Sequence, residues 1–158
     1  MADARANEVV RGTPVERIGL VWPLTREVAS LGKRHNMDID IWVMPSPDNA
    51  DGVLRALRRF GTPLHHVTRN DFEKEGTVFQ IGVAPRRIDI ITAASGLQFE
   101  DTYRKSLVVE IEGIQVRIPS VDDLILNKRA AGRTKDLADA EALEELKDSD
   151  QANPGDQR

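Results

Sequence analysis

Asp38-Ile39-Asp40-Ile41-Trp42-Val43 sets two carboxylates one residue apart among apolar side chains. On a strand, residues i and i+2 project to the same face, so Asp38 and Asp40 should point together. Adjacent carboxylates repel each other and resist desolvation unless a positive charge joins them, a role that a divalent cation can fill. A second stretch, Arg87-Ile88-Asp89-Ile90-Ile91, again places one acid between β-branched residues. Three aspartates on two strands predict a Mg²⁺ site for phosphate chemistry, provided the strands pair. The plain alternative is that all three are solvent-facing residues of half-exposed strands.

Outward from this motif, the strand from Asp38 to Met44 closes at Pro45-Ser46-Pro47. Asp48 or Asn49 can cap a helix running to Phe60, with Val53, Leu54, Leu57 and Phe60 on one apolar face and Gly61 as its stop. His65 to Gly76 reads as a loop or a short helical turn. Thr77–Val83 and Arg87–Thr92 are strands joined through Ala84-Pro85, as in an antiparallel hairpin. Phe99–Lys105 reads as a short helix. Leu107–Glu112 and Ile114–Ile118 form a second hairpin through Gly113. Ser120-Val121-Asp122-Asp123 resembles a capping box that opens a helix to about Ala131. Another helix runs from about Lys135 to Lys147, with Leu137, Ala140, Leu143 and Leu146 turned inward.

Upstream, Ile18–Trp22 reads as a short strand and Thr25–Leu31 as a short helix stopped by Gly32. The order of elements, a mixed sheet with flanking helices followed by two C-terminal helices, is that of an α+β domain. Residues 1–14 are polar and aperiodic and are expected to be disordered. A single domain is expected over 15–147, and a disordered tail over 148–158.

With 158 residues, 40% hydrophobic and 30% charged, the chain has the composition of one ordinary globular domain. No apolar run approaches the roughly 18 residues of a membrane span, and no signal-peptide apolar region opens the chain. Cysteine is absent, which excludes disulfides and thiolate metal sites. A cytoplasmic location is the default expectation. The formal charge of −4 argues against nucleic-acid binding by the whole surface, though a local basic patch is compatible with it.

Leu126-Asn127-Lys128-Arg129-Ala130-Ala131-Gly132-Arg133-Thr134-Lys135-Asp136-Leu137 carries a second cluster of charge. Lys128, Arg129, Arg133 and Lys135 span the break between two helices. Cations beside the free amides of a helix start suit an anion, which nominates Lys128 and Arg133 for phosphate contacts. A solvated basic turn is the competing reading. Arg86-Arg87 could flank the third acid and help hold phosphate, or simply decorate a turn. His35, His65 and His66 have no partners at metal-ligand spacing. Neither a phosphate-binding Gly-Lys-Ser/Thr loop nor a dinucleotide glycine fingerprint occurs.

The ordered set Asp38-Ile39-Asp40-Ile41-Trp42-Val43, Gln80-Ile81-Gly82-Val83, Pro85-Arg86-Arg87-Ile88-Asp89-Ile90 and Asn127 to Asp139 resembles small bacterial nucleotidyltransferase-fold proteins related to AbiEii-type toxins. These belong to the DNA polymerase β-like superfamily, and the resemblance spans roughly Asn36 to Leu146. It implies a minimal nucleotidyltransferase-like mixed sheet that binds Mg²⁺, or Mn²⁺, and an NTP. By that resemblance Asp38 and Asp40 match the paired metal ligands, and Asp89 matches the third carboxylate, a candidate base. Lys128 matches a helical lysine near the nucleotide phosphates, and Lys135 with Asp136 falls in a second charged motif.

One departure stands out. The superfamily carries Gly-Gly or Gly-Ser at a helix start shortly upstream of the paired acids, where small residues let amides approach the triphosphate. Here that window holds Pro23-Leu24-Thr25-Arg26, and residues 15–35 read as diverged.

Three functions compete. The leading one transfers a nucleoside monophosphate from an NTP to an acceptor hydroxyl on RNA, protein or a small molecule. A chain this short needs a local acceptor site or one supplied by a partner protein or a homodimer. The rival is a catalytically inactive nucleotide-binding or protein-interaction module of the same fold. A metal-dependent nuclease would need a Glu-x-Lys near the acids, and the chain offers only Glu145-Leu146-Lys147, on the last helix.

Overall fold

A computed structural model describes residues 20–22, 39–83, 86–111 and 114–152. Strands β1 (Leu20–Trp22), β2 (Ile39–Trp42), β3 (Val78–Val83) and β4 (Arg86–Ile91) form one sheet in the order β1-β2-β4-β3. The β2–β4 pair is parallel, while β1–β2 and β3–β4 are antiparallel. Strands β5 (Leu107–Ile111) and β6 (Ile114–Ile118) form a separate antiparallel hairpin, with β6 passing beside β1. The helices are α1 (Pro47–Phe60), α2 (Phe99–Lys105), α3 (Val121–Ala131) and α4 (Thr134–Ala152), with a 3₁₀ turn at Arg69–Phe72. This is an α+β fold with a mixed sheet and two C-terminal helices. The predicted helix over Thr25–Leu31 lies outside the described residues, as does Asp38.

Helix α1 supplies the crossover that parallel β2 and β4 require. Its cap is Ser46, two or three residues earlier than the sequence suggests. The Ser46 hydroxyl accepts from the amide of Asn49, and Pro47 sits in the first turn, where its missing N–H costs nothing. Gly61 ends the helix in the left-handed region, at φ 84°. Val53, Leu54 and Leu57 are buried as predicted, with Phe60 partly so.

Alternation along the strands divides the apolar residues between two cores. Ile41, Val43, Ile88 and Ile90, with Ile39, Phe79 and Ile81, pack against α1 and Phe72 on one face. Trp42 and Ile91 point the other way and meet Phe99, Leu124 and Leu143 from α2, α3 and α4. Trp42 stands edge-on to Phe99, which stacks on Tyr103.

Helix α3 matches its predicted span, capped by Ser120 and ended by Gly132 at φ 68°. Helix α4 departs from expectation twice. It continues past Lys147 to Ala152, into the stretch expected to be disordered. Its buried stripe is Asp136, Ala140 and Leu143, whereas Leu137 and Leu146 are exposed. The stripe begins on a carboxylate because a lysine from α3 meets it there.

Candidate active site

Register decides the geometry of the acids. On the parallel pair, Ile39 faces Ile88, Asp40 faces Asp89 and Ile41 faces Ile90. Burying the isoleucines against α1 sends the two aspartates to the opposite face, and a one-residue slip would reverse every side chain. Neighbouring strands lie about 4.8 Å apart, so the two carboxylates project side by side. Asp89 is only 7% exposed, which sets aside the solvent-facing alternative for that residue, and Asp40 is half-buried.

Two further side chains share the face. Gln80 is the β3 partner of Asp89, and its amide donates to Asp89 Oδ2 at 3.4 Å. Arg87 precedes Asp89 by two residues on the same strand, and its Nε lies 2.9 Å from Asp89 Oδ1. This ion pair is a contact of charges and not an aligned hydrogen bond, so Oδ1 stays buried without one. Arg87 and Gln80 belong to the site as much as the acids do. The i, i+2 spacing makes Arg87 legible in the sequence; Gln80 requires the hairpin register.

Among the described residues, no group of three or more Asp, Glu, His or Cys is placed to hold a metal ion. Asp40 and Asp89 are a pair, and the third acid, Asp38, falls outside the described residues. Two carboxylates do suit Mg²⁺, which commonly takes one or two of them together with waters and substrate phosphates. The buried Asp89 Oδ1, lacking an aligned hydrogen bond, is an oxygen of the kind such an ion takes.

The basic segment is arranged differently from an open phosphate cradle. Lys128 is buried, and its ammonium donates to Asp136 Oδ1 and Asp139 Oδ2, both at 3.0 Å. Arg133 Nε lies 2.5 Å from Asp136 Oδ2, its own side chain largely exposed. Arg129 forms a bidentate pair with Glu144. Burial would raise the Asp136 carboxyl, but the hydrogen bonds and charges of Arg133 and Lys128 outweigh it and hold the group below its usual range. Asp136 and Asp139 bind Lys128 and so clamp α3 to α4. Lys135 is exposed, as are His65 and His66.

Fold and site together define an α+β domain with paired carboxylates on adjacent parallel strands. No family model, curated protein or solved structure matches the chain. No helix of the described residues is long and apolar enough to cross a membrane.

Proposed function

We propose that this protein is a metal-dependent nucleotidyltransferase of the nucleotidyltransferase-like fold, moving an NMP from an NTP to an acceptor hydroxyl. The observation that carries the reading is the in-register pair of Asp40 and Asp89, with Asp89 buried. By its spacing in the sequence alone, Asp38 is proposed as a further metal ligand. Bound Mg²⁺ or Mn²⁺ would neutralise triphosphate charge and lower the pKa of the acceptor hydroxyl. The acceptor oxygen forms a bond to the α-phosphorus as the bond to the β-phosphate bridge breaks and pyrophosphate leaves. Asp89 takes the acceptor's proton. Arg133 and Lys135, exposed at the start of α4, remain candidates for phosphate, whereas Lys128 is already held by two carboxylates. RNA, a protein or a small molecule serves as acceptor.

One observation favours the rival, an inactive module of the same fold. Arg87 already contacts Asp89, and Lys128 is held by Asp136 and Asp139, so both Asp89 and Lys128 have partners of opposite charge without a ligand. Thermal melts with Mg²⁺ or Mn²⁺ and each of the four NTPs separate the two. The enzyme reading expects a raised Tm that Asp40→Asn and Asp89→Asn abolish, together with labelled NMP transferred to RNA or protein. Absence of any shift with all four nucleotides would sink it.

A further inference from the structure

The carboxylate pair carries a cation of its own. Arg87 and Asp89 lie on the same face of β4, and the guanidinium Nε sits 2.9 Å from Oδ1, the oxygen a metal would take. We propose that Arg87 is a resident counter-ion, a positioning residue that occupies Asp89 until a divalent ion displaces it and then turns to the triphosphate. The inference rests on the nucleotidyltransferase reading.

Three observations carry it. First, Asp40 and Asp89 are adjacent across the β2–β4 pair, so their charges need compensation, and an arginine is positive at every working pH. Second, the two partners differ in burial: the Asp89 side chain is 9% exposed and that of Arg87 32%, with the contacting Nε itself buried, so Arg87 is the less enclosed member of the pair. Third, Arg87 faces Gly82 across the β3–β4 pair, a residue that brings no side chain to that row. A guanidinium and a divalent ion cannot share one carboxylate oxygen without like-charge repulsion. A planar, multi-donor guanidinium is in turn well matched to phosphate oxygens.

Manganese binding to the full chain, read from the electron paramagnetic resonance of free Mn²⁺, tests this directly. Removing one positive charge about 4 Å from the ion predicts that Arg87→Gln tightens bare Mn²⁺ binding at least about fivefold. The same variant is expected to bind Mn²⁺–NTP several-fold more weakly, since phosphate loses its cation. Opposite signs are the signature, because general structural damage would weaken both. If Arg87→Gln fails to fold, Arg87→Met, which keeps the aliphatic stem and removes the charge, serves with effects of the same two signs. Equal Mn²⁺ affinity in native protein and variant overturns the counter-ion role, and leaves the enzyme reading standing if Asp40→Asn and Asp89→Asn still abolish the nucleotide shift. No binding of bare Mn²⁺ to either protein overturns the counter-ion role, and no binding of Mn²⁺–NTP as well overturns both.

Discussion

Single residues in this protein are constrained by what reaches them from distant parts of the chain. Gly96, at φ 74°, lies against α3, and a Cβ placed there would stand 2.6 Å from the Cβ of Ala130. Asn127 donates from the same helix to the carbonyl of Ser95 at 2.9 Å, so the loop cannot easily draw back. Gly96→Ala therefore combines left-handed backbone strain, about 1–2 kcal/mol, with overpacking, about 1–3 kcal/mol. Urea denaturation is expected to show a loss of at least about 2 kcal/mol. Gly61→Ala is the control: φ is 84° with nothing within 4 Å, so the backbone cost is comparable, no close contact is added and the loss should be smaller. Equal losses at both positions would show that the contact with Ala130 does not matter. Gly96 has no signature in the sequence, because its constraint comes from a helix thirty residues on. Asp40 and Asp89 were readable by contrast, since strand alternation aims each acid and the isoleucines on either side fix the register.

Elements show the same division between local and distant causes. The stop of α1 and the start of α3 were legible because Gly61 and Ser120 act on their own neighbours. The inner face of α4 was not. A reading by apolar period chose Leu137 and Leu146, yet the buried stripe starts at Asp136, since Lys128 on α3 supplies the partner that lets a carboxylate be buried. Membership of that stripe depends on another element, and periodicity within α4 cannot reveal it. Lys128→Met leaves Asp136 with only the exposed Arg133 and Asp139 without its ammonium. Removing one member of a buried ion pair costs about 3–5 kcal/mol, and chemical denaturation is expected to show a loss toward the lower end. The triple variant Lys128→Met, Asp136→Asn, Asp139→Asn removes the uncompensated charges and should recover much of it. A triple variant no more stable than the single one would show that the lysine acts through packing alone.

At the scale of the whole molecule, the sheet separates two cores, and the acid row lies on the side of α2, α3 and α4. The α3–α4 hairpin contributes Leu124 and Leu143 beneath Trp42, so the charge clamp that closes this hairpin also supports the layer next to the acid row. Acid should therefore act on the entire domain through that clamp. The Asp136 carboxyl, which burial would raise, is held below its ordinary value of 3.8 by Arg133 and Lys128. Between those two values the unfolded chain binds more protons than the folded one, so stability falls as pH falls. The contribution of Asp136 is complete above the unfolded value, declines below about pH 4 and is lost once the folded carboxyl itself is protonated. Asp71, lowered by the backbone and side-chain hydrogen bonds of Thr68, contributes in the same direction. Melting temperatures followed from pH 6 to pH 2.5 are thus expected to drop mainly below pH 4. Asp136→Asn should start lower at pH 6 and fall less steeply, the two curves converging in acid. Parallel curves would assign the acid sensitivity elsewhere and remove the α3–α4 clamp from the account of what holds this face of the sheet.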